Sequence, residues 1–128
     1  MVNQRNTRQK QIIYDALCTL KHPSATEVYD YVHETYPTIS RGTVFRVLAS
    51  FAEEGRALKL NFLGSDTRYD AMTGRHFHAR CRRCGAVKDV FSPALLSELD
   101  GVETDAFISD GCEVEFFGLC ASCKSAEK

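Results

Sequence analysis

The sequence contains no apolar run long enough to span a bilayer, no internal repeat and no low-complexity segment. These absences exclude a helical membrane protein, a repeat array and an unstructured chain. It also has almost no excess of charge: 16 Lys and Arg against 17 Asp and Glu give a formal net charge of −1, which argues against a wholesale nucleic-acid binder. The N-terminus is polar (Asn3, Gln4, Arg5, Asn6) and has no secretory leader pattern. The expected compartment is therefore the reducing cytoplasm, where disulfides are rare. The 128 residues, 44% hydrophobic and 26% charged, have an ordinary globular composition and leave room for one domain or two very small ones.

The near-zero charge hides an asymmetry. Residues 1–68 carry nine Lys/Arg and seven Asp/Glu (+2), whereas residues 69–128 carry seven and ten (−3). A mildly basic front half and an acidic back half suit a binding domain joined to a metal-holding domain.

The densest chemistry lies in Arg75-His76-Phe77-His78-Ala79-Arg80-Cys81-Arg82-Arg83-Cys84-Gly85. If this stretch is a strand, His76 and His78 project to one face and Phe77 to the other. Two histidines on one strand face beside acidic residues are candidates for a metal site. Cys81-x-x-Cys84-Gly85 has the spacing of a zinc knuckle, and Cys120-x-x-Cys123 repeats it near the end of the chain. Two such pairs predict a tetrahedral zinc site of four cysteines, in preference to two disulfides in a reducing compartment.

Residues 7–20 have a helical stripe of Ile12, Ile13, Ala16, Leu17 and Leu20, with Cys18 expected to pack as a small apolar residue. Ser24-Ala25-Thr26-Glu27 is a capping box that predicts a second helix, with Val28, Tyr31 and Val32 inward. Ser40 caps a third, running to about Glu54, with Val44, Val47, Leu48 and Phe51 inward and Gly55 as its stop. Its outward N-terminal residues, Arg41, Thr43, Phe45 and Arg46, are the expected DNA contacts. Leu58, Leu60 and Phe62 then alternate, Gly64-Ser65-Asp66 turns, and Thr67-Arg68-Tyr69 returns. Three helices and a hairpin predict a winged helix-turn-helix whose third helix enters a major groove.

Beyond the histidine strand, Ala86–Val90 reads as a strand and Ser92-Pro93 opens a short helix carrying Leu95, Leu96 and Leu99. Residues 104–109 and 112–119 read as strands, and the tail after Cys123 as loose. This half is too small to bury a good core alone, so zinc and a second copy are expected to supply the missing stability. The expected class is α+β: a winged-helix DNA-binding domain over 1–70 and a metal-binding α/β dimerisation domain over 71–128.

Over essentially its whole length the chain resembles the ferric uptake regulator family. The resemblance is carried by Ser40-Arg-Gly-Thr-Val-Phe-Arg-Val-Leu48, by His76-x-His78-x-x-Cys81-x-x-Cys84-Gly85 and by Cys120-x-x-Cys123. It implies a dimeric, metal-activated repressor that binds a palindromic operator in double-stranded DNA. Within the family the chain is most similar to the peroxide-responsive branch. That similarity implies a regulatory site of His22, Asp70, His76, His78 and Asp89, with His22 and His76 as the residues oxidised. Iron-sensing members usually place Glu at the position of Asp89. Three imidazoles and two carboxylates suit Fe²⁺ or Mn²⁺, whereas four thiolates suit Zn²⁺, so the two sites would sort metals by ligand softness.

Several positions depart from the family. The helix that usually precedes the first one has no counterpart, and the usual Tyr-Arg-Asn of the recognition helix is Phe45-Arg46-Val47. A further metal site of some members is not expected, since its positions hold Arg75, Phe77, Leu96 and Cys112. Two other classes compete with this reading. A zinc hydrolase built on His76 and His78 would need an open coordination position, a base such as Asp70 or Asp89, and a cleft that so short a chain does not provide. A metal store would have no DNA role. Within the repressor reading, sensing of iron, manganese or zinc level is the alternative to peroxide.

Overall fold

Three helices occupy the front of the chain, and serine side chains cap the second and the third. The computed structural model describes residues 4–61 and 66–126, and the chain divides into two units, Met1–Thr73 and Gly74–Lys128. In the first unit, α1 spans Gln4–Leu20, α2 Ala25–Thr35 and α3 Arg41–Glu53. Ser24 caps α2 reciprocally: its hydroxyl accepts from the Glu27 amide (3.2 Å), and the Glu27 carboxylate accepts from the Ser24 amide (3.1 Å). Ser40 caps α3 by accepting from the Thr43 amide (3.1 Å). α3 ends at Gly55, whose φ of 76° lets the Arg56 amide turn back to the Phe51 carbonyl at 2.8 Å. Such a left-handed stop favours glycine.

The three helices enclose one apolar core containing Ile13, Leu17, Val28, Val32, Ile39, Val44, Leu48 and Phe51. Val47 is also buried, so the residue in the family's Asn position serves packing. Two expectations are corrected. Tyr31 is 44% exposed: Ala25, Val28 and Val32 set the inward direction of α2, and at 100° per residue Tyr31 falls to one side of it. Cys18 is exposed, because it projects away from the stripe of Ile13, Ala16 and Leu17 on α1.

A two-stranded antiparallel wing follows. β1 (Leu58–Leu60) pairs with β2 (Arg68–Asp70), Leu58 opposite Asp70 and Leu60 opposite Arg68. Phe62 of the expected first strand and Gly64 and Ser65 of the expected turn lie outside the described residues. The wing also grips the loop after α1: the Tyr69 amide donates to the Pro23 carbonyl (2.9 Å) and Ser24 bridges to Arg68.

The second unit is a three-stranded sheet in the order β4-β3-β7. β3 (Phe77–Cys81) pairs antiparallel with β4 (Val87–Val90) and parallel with β7 (Glu115–Gly118). α4 (Pro93–Leu99) starts at Ser92, whose hydroxyl accepts from the Leu95 amide, with Pro93 in the first turn. The strand expected over 104–109 is instead a tight hairpin of β5 (Glu103–Thr104) and β6 (Phe107–Ile108). The Thr104 hydroxyl accepts from the Ala106 amide (3.3 Å), a local side-chain turn that competes with extension. The strand expected over 112–119 shrinks to the residues that pair with β3. The expected loose tail is a helix, α5 (Ala121–Ala126), begun by the bond from the Lys124 amide to the Cys120 carbonyl (2.9 Å).

Among described residues of this unit the buried apolar side chains are Phe77 and Cys81, while Phe107, Ile108 and Phe117 are more than half exposed. No helix among the described residues is long and apolar enough to cross a membrane.

Candidate metal centres and nucleic-acid face

The parallel pairing of β3 with β7 brings the two cysteine pairs together. Parallel strands end at the same edge, and Cys81 lies opposite Gly118 at the last rung, so each strand feeds its Cys-x-x-Cys into the same corner. Gly85, with φ of 79°, turns the first knuckle back into β4. The ligand atoms of Cys81, Cys84, Cys120 and Cys123 all lie within 4.8 Å of one another. The Cys84 and Cys120 sulfurs are 3.7 Å apart, well beyond a disulfide bond. Zn–S bonds of tetrahedral geometry separate sulfurs by about 3.8 Å, so the donor set fits zinc.

The local electrostatics point the same way. The amide of Cys84, then that of Cys120, holds the Cys81 thiol down at about 5. The amide of Cys123 lowers Cys120. Cys123, beside the Cys81 sulfur and desolvated, is pushed up to about 12. Four adjacent thiols cannot all ionise without a cation among them, and the protein has prepared some of them for one.

The expected regulatory ligands occur as two groups, one in each unit. In the first, Lys21 and His22 both have positive φ, 52° and 40°. This conformation costs an L-residue about 1–2 kcal/mol and directly precedes Pro23. Arg68 of the wing holds it by donating to the His22 carbonyl (2.9 Å) and to Glu27 (3.0 Å). His22 Nε2 lies 3.4 Å from Asp70 Oδ2, and Asp70 Oδ1 is anchored by the Met72 amide at 2.9 Å. Strain of this kind concentrates where a side chain must be aimed.

In the second unit, His78 on β3 faces Asp89 on β4 across the ladder. Asp89 Oδ1 is 2.9 Å from His76 Nε2 and 3.5 Å from His78 Nε2, and the two imidazoles lie 4.5 Å apart. His76 Nδ1 is 2.5 Å from the Gly74 carbonyl. That contact requires a proton on Nδ1, which leaves the Nε2 lone pair facing the Asp89 carboxylate unless a second proton or a cation lies between them. Cis ligands of an octahedral ion with bonds of about 2.1 Å lie about 3 Å apart, close to the spacings in both groups. The nitrogen and oxygen donors fit Fe²⁺ or Mn²⁺.

On α3, Arg41, Phe45 and Arg46 are exposed and Thr43 is half-buried. Arg41 is already held: it donates to the Thr26 hydroxyl (3.1 Å) and its guanidinium lies 4.6 Å from the Phe45 ring centre. The Thr43 hydroxyl bonds to that of Ser40 (2.9 Å), so it is committed to the helix cap. Sequence reasoning missed Phe91, whose ring stacks on His76 at 5.1 Å. The signal was there: residue 91 is two beyond Asp89 and so projects to the histidine face of an extended strand.

Comparison with known proteins places these features in context. The sequence model of the ferric uptake regulator family matches residues 2–116. The peroxide operon regulator of Bacillus subtilis is 32% identical over 129 residues, covering 96% of this chain and 86% of that protein. The peroxide-responsive repressor PerR of Staphylococcus epidermidis is 32% identical over 123 residues, covering 94% and 81%. The Campylobacter jejuni peroxide stress regulator, a solved structure, superposes with a TM-score of 0.75 at 26% identity, covering 94% of this chain and 92% of that one.

Proposed function

The chain belongs to the ferric uptake regulator family, and from that premise we propose that it is a dimeric, metal-dependent DNA-binding repressor that responds to peroxide. It acts as a regulator and not as an enzyme. The observation that carries the reading is the grouping of His76 and His78 around the Asp89 carboxylate, in a chain whose relatives are named for peroxide response.

In this reading Cys81, Cys84, Cys120 and Cys123 hold a structural Zn²⁺ that completes the second unit. His22 and Asp70 of the first unit join His76, His78 and Asp89 of the second on one Fe²⁺ or Mn²⁺. A ligand shared by two units shifts an equilibrium only as far as it prefers one arrangement. Here the preferred arrangement is the one that presents α3 to DNA. Ferrous iron held by these residues would activate peroxide beside the imidazoles, one peroxide oxygen entering a ring C–H bond and the other leaving as water. The ring C–H bonds of His22 and His76 are then the targets, and an oxidised imidazole donates its lone pair less well. The two ligand groups lose their common hold, and Arg41, Thr43, Phe45 and Arg46 leave the major groove.

Dimerisation is supported by the large apolar side chains that the second unit leaves exposed, among them Phe107, Ile108 and Phe117, since a second copy would give them cover. A dimer reads a palindrome with two copies of α3. The DNA role is tested by gel shift against an operator selected from random duplexes. Binding should require Mn²⁺ or Fe²⁺, disappear with a chelator that leaves zinc in place, and return on adding Mn²⁺. Sequence-specific binding that ignores the chelator, or no specific binding at all, would leave only a metal-holding protein.

A further inference from the structure

We propose that Phe91 is a positioning residue for His76: its ring fixes the plane of the imidazole so that Nε2 is presented to the metal. This rests on the metal-site reading above and extends it to a residue outside the ligand set.

The β3–β4 ladder pairs Phe77 with Val90 and His78 with Asp89. One more step in that register sets residue 91 opposite residue 76. The rings of His76 and Phe91 are indeed stacked, with centroids 5.1 Å apart and planes 21° from parallel. The imidazole has no exposed surface, whereas Phe91 is 63% exposed. An aromatic residue that leaves most of its area in water contributes little by burial, so its position needs another reason. The χ2 torsion of histidine is broad, and a hydrogen bond from Nδ1 to the Gly74 carbonyl holds one ring atom without holding the plane. A stacked ring does hold the plane, and His78 closes the other side at 4.5 Å with its ring tilted by 56°. Removing a group that orients a metal ligand typically weakens metal binding by about 10- to 100-fold.

A plainer role is available. Phe91 directly precedes Ser92, the N-cap of α4, which is where a hydrophobic staple to the fourth helical residue, Leu96, would sit. A staple needs only an apolar side chain, and leucine would serve. Ring stacking needs an aromatic one.

The test compares Phe91→Leu, Phe91→Tyr and Phe91→Trp with the parent protein, all zinc-loaded, using Mn²⁺ as the probe and electron paramagnetic resonance to count free ion. A second readout is the proton spectrum of His76 without Mn²⁺, where a stacked ring shifts the imidazole protons upfield. Phe91→Leu should lose the ring shift and bind Mn²⁺ about tenfold more weakly. Phe91→Tyr and Phe91→Trp should keep both. The proposal is overturned if the leucine variant binds Mn²⁺ as the parent does, or if the parent shows no ring shift at His76. His76→Ala separates the two layers. If it leaves Mn²⁺ affinity unchanged, the metal-site reading itself fails. If it abolishes binding while Phe91→Leu does not weaken it, only the role of Phe91 fails.

Discussion

His78 and Asp89 face each other across the β3–β4 ladder, with Nε2 and Oδ1 3.5 Å apart. Cross-strand neighbours share a face of the sheet, so this pairing also places Asp89 within 2.9 Å of His76, two residues back along the chain. The ladder thus brings three side chains of metal-ligating type into one patch of the second unit. Replacing Asp89 with Ala should weaken Mn²⁺ binding at least tenfold and leave zinc content unchanged, as read by metal analysis after dialysis. Loss of zinc together with Mn²⁺ would mean that the two sites are not separate.

The corner formed by β3 and β7 makes a second prediction. Metal binding at such a site is folding free energy, and this unit has little buried apolar surface of its own. Cys84→Ser should lose zinc, unfold residues 74–128 and dissociate the dimer, as followed by metal content and sedimentation. Cys18→Ser and Cys112→Ser, at exposed cysteines outside the cluster, should do neither. A dimeric Cys84→Ser protein with full zinc would remove that sulfur from the site.

Proton release gives a test that depends on pH. In the metal-free cluster Cys81 sits at about 5 and Cys123 at about 12. At pH 7 Cys81 is already a thiolate and Cys123 is still a thiol. Zinc binding at pH 7 should therefore release a proton from Cys123 and none from Cys81. Below pH 5 Cys81 also becomes protonated and zinc must displace that proton too, so affinity should fall more steeply with acid. Titration calorimetry in buffers of different ionisation enthalpy counts these protons. A count of zero at pH 7 would contradict the assignment.

Lys21, at φ of 52°, is strained and is not a proposed ligand. Glycine adopts this conformation without that cost, although it adds freedom to the unfolded chain. Lys21→Gly should stabilise the first unit by about 0.5–1 kcal/mol, measured by denaturant unfolding, with Mn²⁺ affinity retained. A destabilised variant would show that the Lys21 side chain contributes more than its backbone costs.

Arg46 is exposed on the face of α3 assigned to DNA. Arg46→Ala should weaken operator binding by about 1–3 kcal/mol if the guanidinium reads a base edge. If it meets a phosphate, the loss should be uniform across sequences and the salt slope should fall by about one. Unchanged affinity and slope would exclude Arg46 from the interface.

The parts of this molecule legible in its sequence are those with local causes. Ser24 and Ser40 announce their helices because a hydroxyl and the amides it caps lie within one turn. The four cysteines are recognisable because a knuckle is a four-residue motif. His76 and His78 stand out by their alternate spacing on one strand, whereas His22, Asp70 and Asp89 join them only through resemblance to a family. What stayed hidden depends on pairing between distant segments. Nothing near Glu115–Gly118 states that it runs parallel to Phe77–Cys81, yet that register gathers the sulfurs. Tyr31 was misplaced because a helical stripe read from two valines has an uncertain centre, and Ala25 pulls it the other way. The helix after Cys120 is too short to show a period. Phe91 reads as one more apolar residue until the ladder sets it against His76.

The measurement that bears most directly on the account is the fate of the histidines under peroxide. The zinc-loaded protein is charged with Fe²⁺, exposed to dilute peroxide, and followed by operator binding and by peptide mass spectrometry, with the Mn²⁺-loaded protein in parallel. The account predicts that the iron form loses operator binding while His22 or His76 gains the mass of one oxygen atom, and that the manganese form keeps binding with its histidines unmodified. If the iron form still binds its operator and no histidine gains oxygen, the protein reports metal level and not peroxide.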